Sequence, residues 1–216
     1  MKKRLTRFLP FLLAFTIALP SYSVFAEEEN QAKETQTNET NKTQADETTA
    51  NDTLSLAAET AVLIDAASGE ILYDKDADKK MYPASITKLM TILLALENGK
   101  LTDEITFSHD AVYNIEPGSA HIAILEGETL TLEQVLRAII LRSANEASNG
   151  VAEYVDGSVE AFAKHMTERA KELGCTNTNF VNANGLFDEN HYTTAHDMAL
   201  IARELLKHEE YRSMMS

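Results

Sequence analysis

From Glu27 to Thr53 the chain carries no aromatic and no branched aliphatic residue. Such a segment cannot bury enough apolar surface to offset the entropy of ordering its backbone, so it is expected to be a disordered acidic and polar tether. Any fold is then confined to residues 54–216. Ahead of the tether, Lys2, Lys3, Arg4 and Arg7 precede an apolar run from Phe8 to Leu19, and Val24-Phe25-Ala26 supplies small residues before a cut at Glu27. That three-part order is the pattern of a secretory signal peptide over residues 1–26. The apolar run is about a dozen residues against the ~20 that span a bilayer, so export with cleavage is expected, and membrane attachment is not evident.

The remainder is rich enough in apolar residues to form a core, since the chain as a whole is 44% hydrophobic. With 34 acidic and 19 basic residues it has a net charge of −15. A polyanion would be repelled, so nucleic acid is excluded as a partner. The single cysteine, Cys175, excludes an internal disulfide framework and a multi-cysteine zinc site.

Two short β-branched runs, Ala61–Asp65 and Glu70–Asp74, flank Ala66-Ala67-Ser68-Gly69 and read as a hairpin. After Pro83 the period changes. Ile86, Leu89, Met90, Leu93 and Leu94 fall at helical spacing, and Asn98-Gly99 ends that run. A second apolar helix covers Leu130 to Leu141, opened by Thr131, and breaks at Arg142-Ser143-Ala144-Asn145. Helix resumes over Ala147 to Tyr154. Another runs from Val159 to Leu173 and is closed by Gly174, and Thr194 with Asp197 opens the last, Met198 to Lys207. The reading is a helix-rich body with one hairpin at its start.

Ser85-Ile86-Thr87-Lys88 places a hydroxyl and an amine about one turn apart on one face of a helix start. A serine hydroxyl is a poor nucleophile unless a base lies within hydrogen-bond reach. Lysine can be that base if burial brings its pKa from ~10.4 towards neutrality. By itself the pattern is weak: about one Ser-x-x-Lys is expected by chance in a chain this long, and a capping serine with a solvated lysine would look the same. Ser143-Ala144-Asn145 adds weight. At a break between apolar helices it projects a hydroxyl and an amide that could relay a proton and hold a substrate amide. Helix capping by either residue is the alternative.

Taken together, the wording resembles a known family. Gly69-Glu70-Ile71-Leu72-Tyr73, Tyr82-Pro83-Ala84-Ser85-Ile86-Thr87-Lys88-Leu89-Met90-Thr91, Ser143-Ala144-Asn145-Glu146-Ala147, Asn184-Gly185-Leu186 and His191–Ala199 are similar to stretches of serine-type D-alanyl-D-alanine carboxypeptidases, the low-molecular-mass penicillin-binding proteins. The resemblance runs from Ala61 to Leu206. It implies an α/β (α+β) fold of the β-lactamase/transpeptidase type, a helical cluster packed on an antiparallel sheet. It also implies acyl transfer at the D-Ala-D-Ala end of peptidoglycan stem peptides, without a cofactor, and acylation by β-lactam antibiotics. Carried over by motif, Ser85 is the nucleophile, Lys88 its base, Ser143 a proton relay, and Asn145 a substrate-binding residue. The family's third motif, Lys-Thr-Gly, does not occur in this chain. The resemblance places it, with the later strands of the sheet, beyond Ser216, so residues 54–216 are expected to be the first part of such a domain.

Two other readings compete: a serine β-lactamase, which more often carries Ser-Asp-Asn at the second motif, and a cell-wall-binding fragment with an incomplete site. The six histidines contain no His-Glu-x-x-His pattern, so no metal site is expected and they are read as surface or packing residues. Cys175 reads as a half-buried bystander, Glu116-Pro117-Gly118-Ser119 as a surface turn, and Leu132, Val135, Leu136, Ile139 and Ile140 as core.

Overall fold

The computed structural model describes residues 56–216. The expected signal peptide and tether lie outside the described residues. Strand β1 (Ala61–Ile64) pairs antiparallel with β2 (Ile71–Lys75), with Leu63 opposite Tyr73 and a bulge after Leu63. Asp65 shapes the connection by accepting hydrogen bonds from the amides of Ala67 and Ser68, and Gly69 turns the chain at φ +83°. The expected hairpin is present.

A 3-10 turn (Ala84–Thr87) leads directly into α1 (Lys88–Asn98). Residues 90–95, Met-Thr-Ile-Leu-Leu-Ala, are all buried. A helix buried on every side over six successive residues has no solvent face there, so this part of α1 sits at the centre. It packs against α3 (Leu132–Arg142), α4 (Asn145–Asp156), α5 (Val159–Glu172) and α6 (Ala195–Leu205). Leu132, Val135, Leu136 and Ile139 of α3 are buried as expected, while Ile140 is half-buried. Arg203 of α6 reaches the hairpin, donating from its guanidinium to the carbonyls of Ala66 and Ala67.

One departure from the single-hairpin reading is a second two-stranded sheet. Strand β3 (Glu104–Thr106) precedes the short helix α2 (His109–Tyr113), and β3 pairs antiparallel with β4 (Thr129–Thr131). Three residues give too little alternation to register as strands, and the partners stand far apart in sequence. Thr131 then serves twice, closing β4 and capping α3 through a capping box with Gln134. A last helix, α7 (Glu209–Met215), returns Tyr211 and Met214 to the core.

The break between α3 and α4 has a backbone cause. Ser143 adopts a left-handed conformation, φ +54° and ψ +34°, while its amide still donates to Ile139 O. The chain therefore turns sharply and starts α4 at Asn145, whose amide donates to Ala120 O. Thr194 caps α6 by accepting from the Asp197 amide. The Asp197 carboxylate itself accepts from Asn177 N and Thr178 Oγ1, pinning the segment after α5 onto α6.

Candidate active site

Ser85 is exposed in the 3-10 turn ahead of α1, and Lys88 is buried at the first position of α1. Lys88 Nζ donates to Ser85 Oγ at 3.2 Å, to Asn145 Oδ1 at 2.8 Å and to the Asn184 carbonyl at 2.6 Å. Three donors thus meet three acceptors, which is the full capacity of an ammonium. A neutral amine has two protons and a lone pair, so one of these contacts must reverse. The Asn oxygens can only accept, whereas the serine hydroxyl can donate. Ser85 is therefore the group whose proton the lysine is placed to receive.

Burial lowers the Lys88 pKa to about 8, with the nearby charge of Glu146 working the other way. At pH 7 roughly one molecule in ten would carry the free base. An amine so poised is close to the range in which a general base works at neutral pH.

The turn that carries Ser85 is set from across the molecule. Ala84 stands at φ +48°, unusual for a residue with a Cβ. Gly185 packs directly on it at φ +85°, and a Cβ there would lie 1.9 Å from Ala84 O. Asn182 Oδ1 accepts from the amides of Gly185 and Asn184 and fixes that loop. Asn184 Nδ2 donates to Asn149 Oδ1 of α4, so the carbonyl facing Lys88 is braced from behind. Thr91 Oγ1 also donates to Ala183 O.

His191 completes the brace. Its Nδ1 accepts from the Val181 amide, so in the neutral ring Nε2 carries the proton and donates to Thr87 Oγ1 at 2.8 Å. Burial pushes its pKa down to about 4, which keeps it neutral at pH 7. It is a packing residue of the kind expected for the histidines, but it packs against the turn that carries Ser85.

The structure brings Ser85, Lys88 and Asn145 into one hydrogen-bonded group. Ser143 lines the same cavity of about 230 Å³ with Ser85 and Lys88, walled by Ile92, Ile139 and Tyr211. Its Oγ is buried without a hydrogen-bond partner among the described residues. Asn184, Gly185 and His191 had no role assigned from sequence. Asn184-Gly185-Leu186 stands there only as a stretch that resembles the family, and a main-chain carbonyl leaves no residue-type signal. Cys175 is more deeply buried than expected. Its Sγ faces Asp197 O at 3.4 Å, and burial raises the thiol to about 12, so it is no nucleophile. Glu116-Pro117-Gly118 does more than turn the chain: it rims a cavity of about 350 Å³. Among the described residues no group of three or more His, Cys, Asp or Glu could hold a metal ion.

The chain is similar to known proteins over most of its length. The family model described as D-alanyl-D-alanine carboxypeptidase matches residues 42–215. The D-alanyl-D-alanine carboxypeptidase DacF of Bacillus subtilis is 43% identical over 161 residues, covering 72% of this chain and 41% of the relative. DacC of Escherichia coli is 37% identical over 160 residues, covering 70% and 40%. Among solved structures, D-alanyl-D-alanine carboxypeptidase DacD from Francisella tularensis superposes with a TM-score of 0.67 at 34% identity, covering 71% of this chain and 38% of that one. Penicillin binding protein 5 from Haemophilus influenzae gives 0.67 at 33%, covering 71% and 46%. The chain spans less than half the length of these relatives and has the helix-rich α+β fold of that group. On the matched family model and these identities, the chain belongs to the D-alanyl-D-alanine carboxypeptidase family.

Proposed function

We propose that this chain supplies the nucleophile and the base of an exported serine D,D-carboxypeptidase acting on peptidoglycan stem peptides that end in D-Ala-D-Ala. Ser85 Oγ attacks the carbonyl carbon of the penultimate D-Ala as its proton passes to Lys88. The bond to the terminal D-Ala nitrogen breaks, that nitrogen takes the proton, and D-Ala leaves. Water then cleaves the Ser85 ester, giving up a proton through the same base. The orphan Ser143 Oγ is the group free to relay the proton to the leaving nitrogen, and Asn145 holds Lys88 in place and offers its amide N–H to the substrate.

The observation that carries this reading is the three-acceptor setting of Lys88, in which Ser85 alone can return a proton. Export is supported by the n-region, apolar run and small residues of 1–26. A β-lactam would acylate the same oxygen. Fluorescent penicillin, applied to the full reading frame that contains this chain, should label the peptide holding Ser85, with the adduct located by mass spectrometry. Absence of label there would overturn the proposal, and rapid turnover of the β-lactam in place of a stable adduct would point to a β-lactamase.

A further inference from the structure

Lys88 is 4% exposed, and its amine bonds to three acceptors, the Ser85 hydroxyl, Asn145 Oδ1 and the Asn184 carbonyl. No carboxylate is among them. The amine also lies where two helices begin. Lys88 is the first residue of α1, and Asn145, whose side chain accepts from it, is the first residue of α4. Helix N-termini carry partial positive charge, so both disfavour an ammonium. The 3-10 turn and the first turn of α1 contain no acid to offset this. The first turn of α4 contains one, Glu146.

Glu146 is 1% exposed, so water and salt screen its charge little. Its Oε1 accepts from the Ile122 amide at 2.6 Å, and its Oε2 is buried with no hydrogen-bond partner among the described residues. A carboxylate so enclosed needs a compensating positive charge, and the buried cation of Lys88 is its electrostatic partner. Burial lowers the Lys88 pKa to about 8, and the charge of Glu146 acts against that fall. Ser143 and Tyr211 face the amine across its cavity, and both are uncharged at pH 7. Glu116 and His121 line a cavity with Glu146, but they are exposed and screened by solvent.

The position of the charge is fixed from two sides. The Asn145 amide donates to Ala120 O at 2.9 Å, and the Ile122 amide donates to Glu146. The segment between α2 and β4 is thereby fastened to the start of α4 at the same two residues that act on Lys88.

We propose that Glu146 is a positioning residue of this site, the counter-charge that sets how strongly Lys88 holds a proton. Its part in the reaction rests on the role proposed above for Lys88 as the base. Without that charge, burial and two helix ends would act on the amine unopposed. The amine would be neutral more often, but it would accept the Ser85 proton less strongly.

NMR titration of the Lys88 side chain tests this in the full reading frame that contains the chain, isotope-labelled at lysine Cε and assigned by the signal lost in Lys88→Arg. Glu146→Gln keeps an oxygen for the Ile122 amide and removes the charge. Its Lys88 midpoint should fall by about one pH unit, and the plateau rate of β-lactam acylation by about threefold, with circular dichroism unchanged. Glu146→Asp keeps the charge and should recover most of that fall. A residue that merely anchored the loop would leave the midpoint in place in Glu146→Gln, and that result would overturn the proposal. In the unaltered protein the Glu146 carboxyl carbon should shift with the Lys88 midpoint. A carboxyl indifferent to that titration overturns the proposal even if neither variant folds. The titration needs no acylation, so a moved midpoint without penicillin label on Ser85 would support the counter-charge and reject the carboxypeptidase reading.

Discussion

The amine of Lys88 lies 2.6 Å from the main-chain carbonyl of Asn184, a residue 96 positions further along the chain. With Asn145 Oδ1 it forms a pair of fixed acceptors that leave the lysine one adjustable contact, the Ser85 hydroxyl. The site's basicity is therefore a property of the fold as much as of the motif.

The first prediction concerns pH. Acylation of Ser85 needs the neutral amine, whose pKa is lowered to about 8 by burial. The rate of β-lactam acylation should fall about tenfold per pH unit below that value and level off above it. Asn145→Ala removes an acceptor that favours the ammonium, so it should move the midpoint of the pH profile downward while slowing the plateau by roughly 10²-fold. A midpoint that stays put in this variant would show that Asn145 does not act on Lys88.

Gly185 offers a steric test. Gly185→Ala would put a methyl group 1.9 Å from Ala84 O, at a φ of +85°. Both the backbone and the nucleophile turn must shift, so a stability loss of at least about 2 kcal/mol in urea unfolding is expected, together with loss of acylation in the fraction still folded. Gly118→Ala, also at positive φ but with nothing within 4 Å of the added carbon, should cost only about 1 kcal/mol and leave acylation unchanged.

His191 should make the fold sensitive to acid. Its pKa is about 4 when folded against an ordinary value of 6.5, so between these values the unfolded chain binds more protons. The stability present above pH 6.5 is then lost as pH falls towards 4, by on the order of 3 kcal/mol from this group. Chemical denaturation at a series of pH values measures it. His191→Gln should flatten that part of the curve, and an unchanged slope would reject the assignment.

Cys175 provides a readout of opening. Buried, and with its thiol raised to about 12, it should resist a thiol reagent at pH 8 in the native protein and react fully in denaturant. Rapid native labelling would mean that the segment between α5 and α6 opens locally.

How much of this could be read beforehand depends on where each role resides. The roles proposed for Ser85, Lys88 and Asn145 rest on side chains at fixed spacings, and those spacings are visible in the letters. The apolar run of α1 and the cap at Thr131 announce themselves in the same way. Asn184 acts through a carbonyl, and Gly185 through the absence of a side chain. Their importance exists only once a distant turn has been placed against them. The pair β3–β4 escaped notice because three-residue strands carry almost no period. Glu146 stands in the sequence only as part of the Ser143–Ala147 stretch, and its orphan oxygen is a fact of packing.

The contacts of Lys88, Thr87 and Thr91 with residues 183–191 have a further consequence, and it lies in time. During synthesis Ser85 and Lys88 are made well before Asn184 and Gly185. Until those later residues close over it, the amine is hydrated and retains its ordinary basicity, so the serine beside it stays inert. Contacts so distant in sequence cost loop-closure entropy before they form, and such non-local pairings slow folding in general. On the role proposed for Ser85, the appearance of penicillin-reactive protein after dilution from denaturant would serve as a clock for the closing of these contacts.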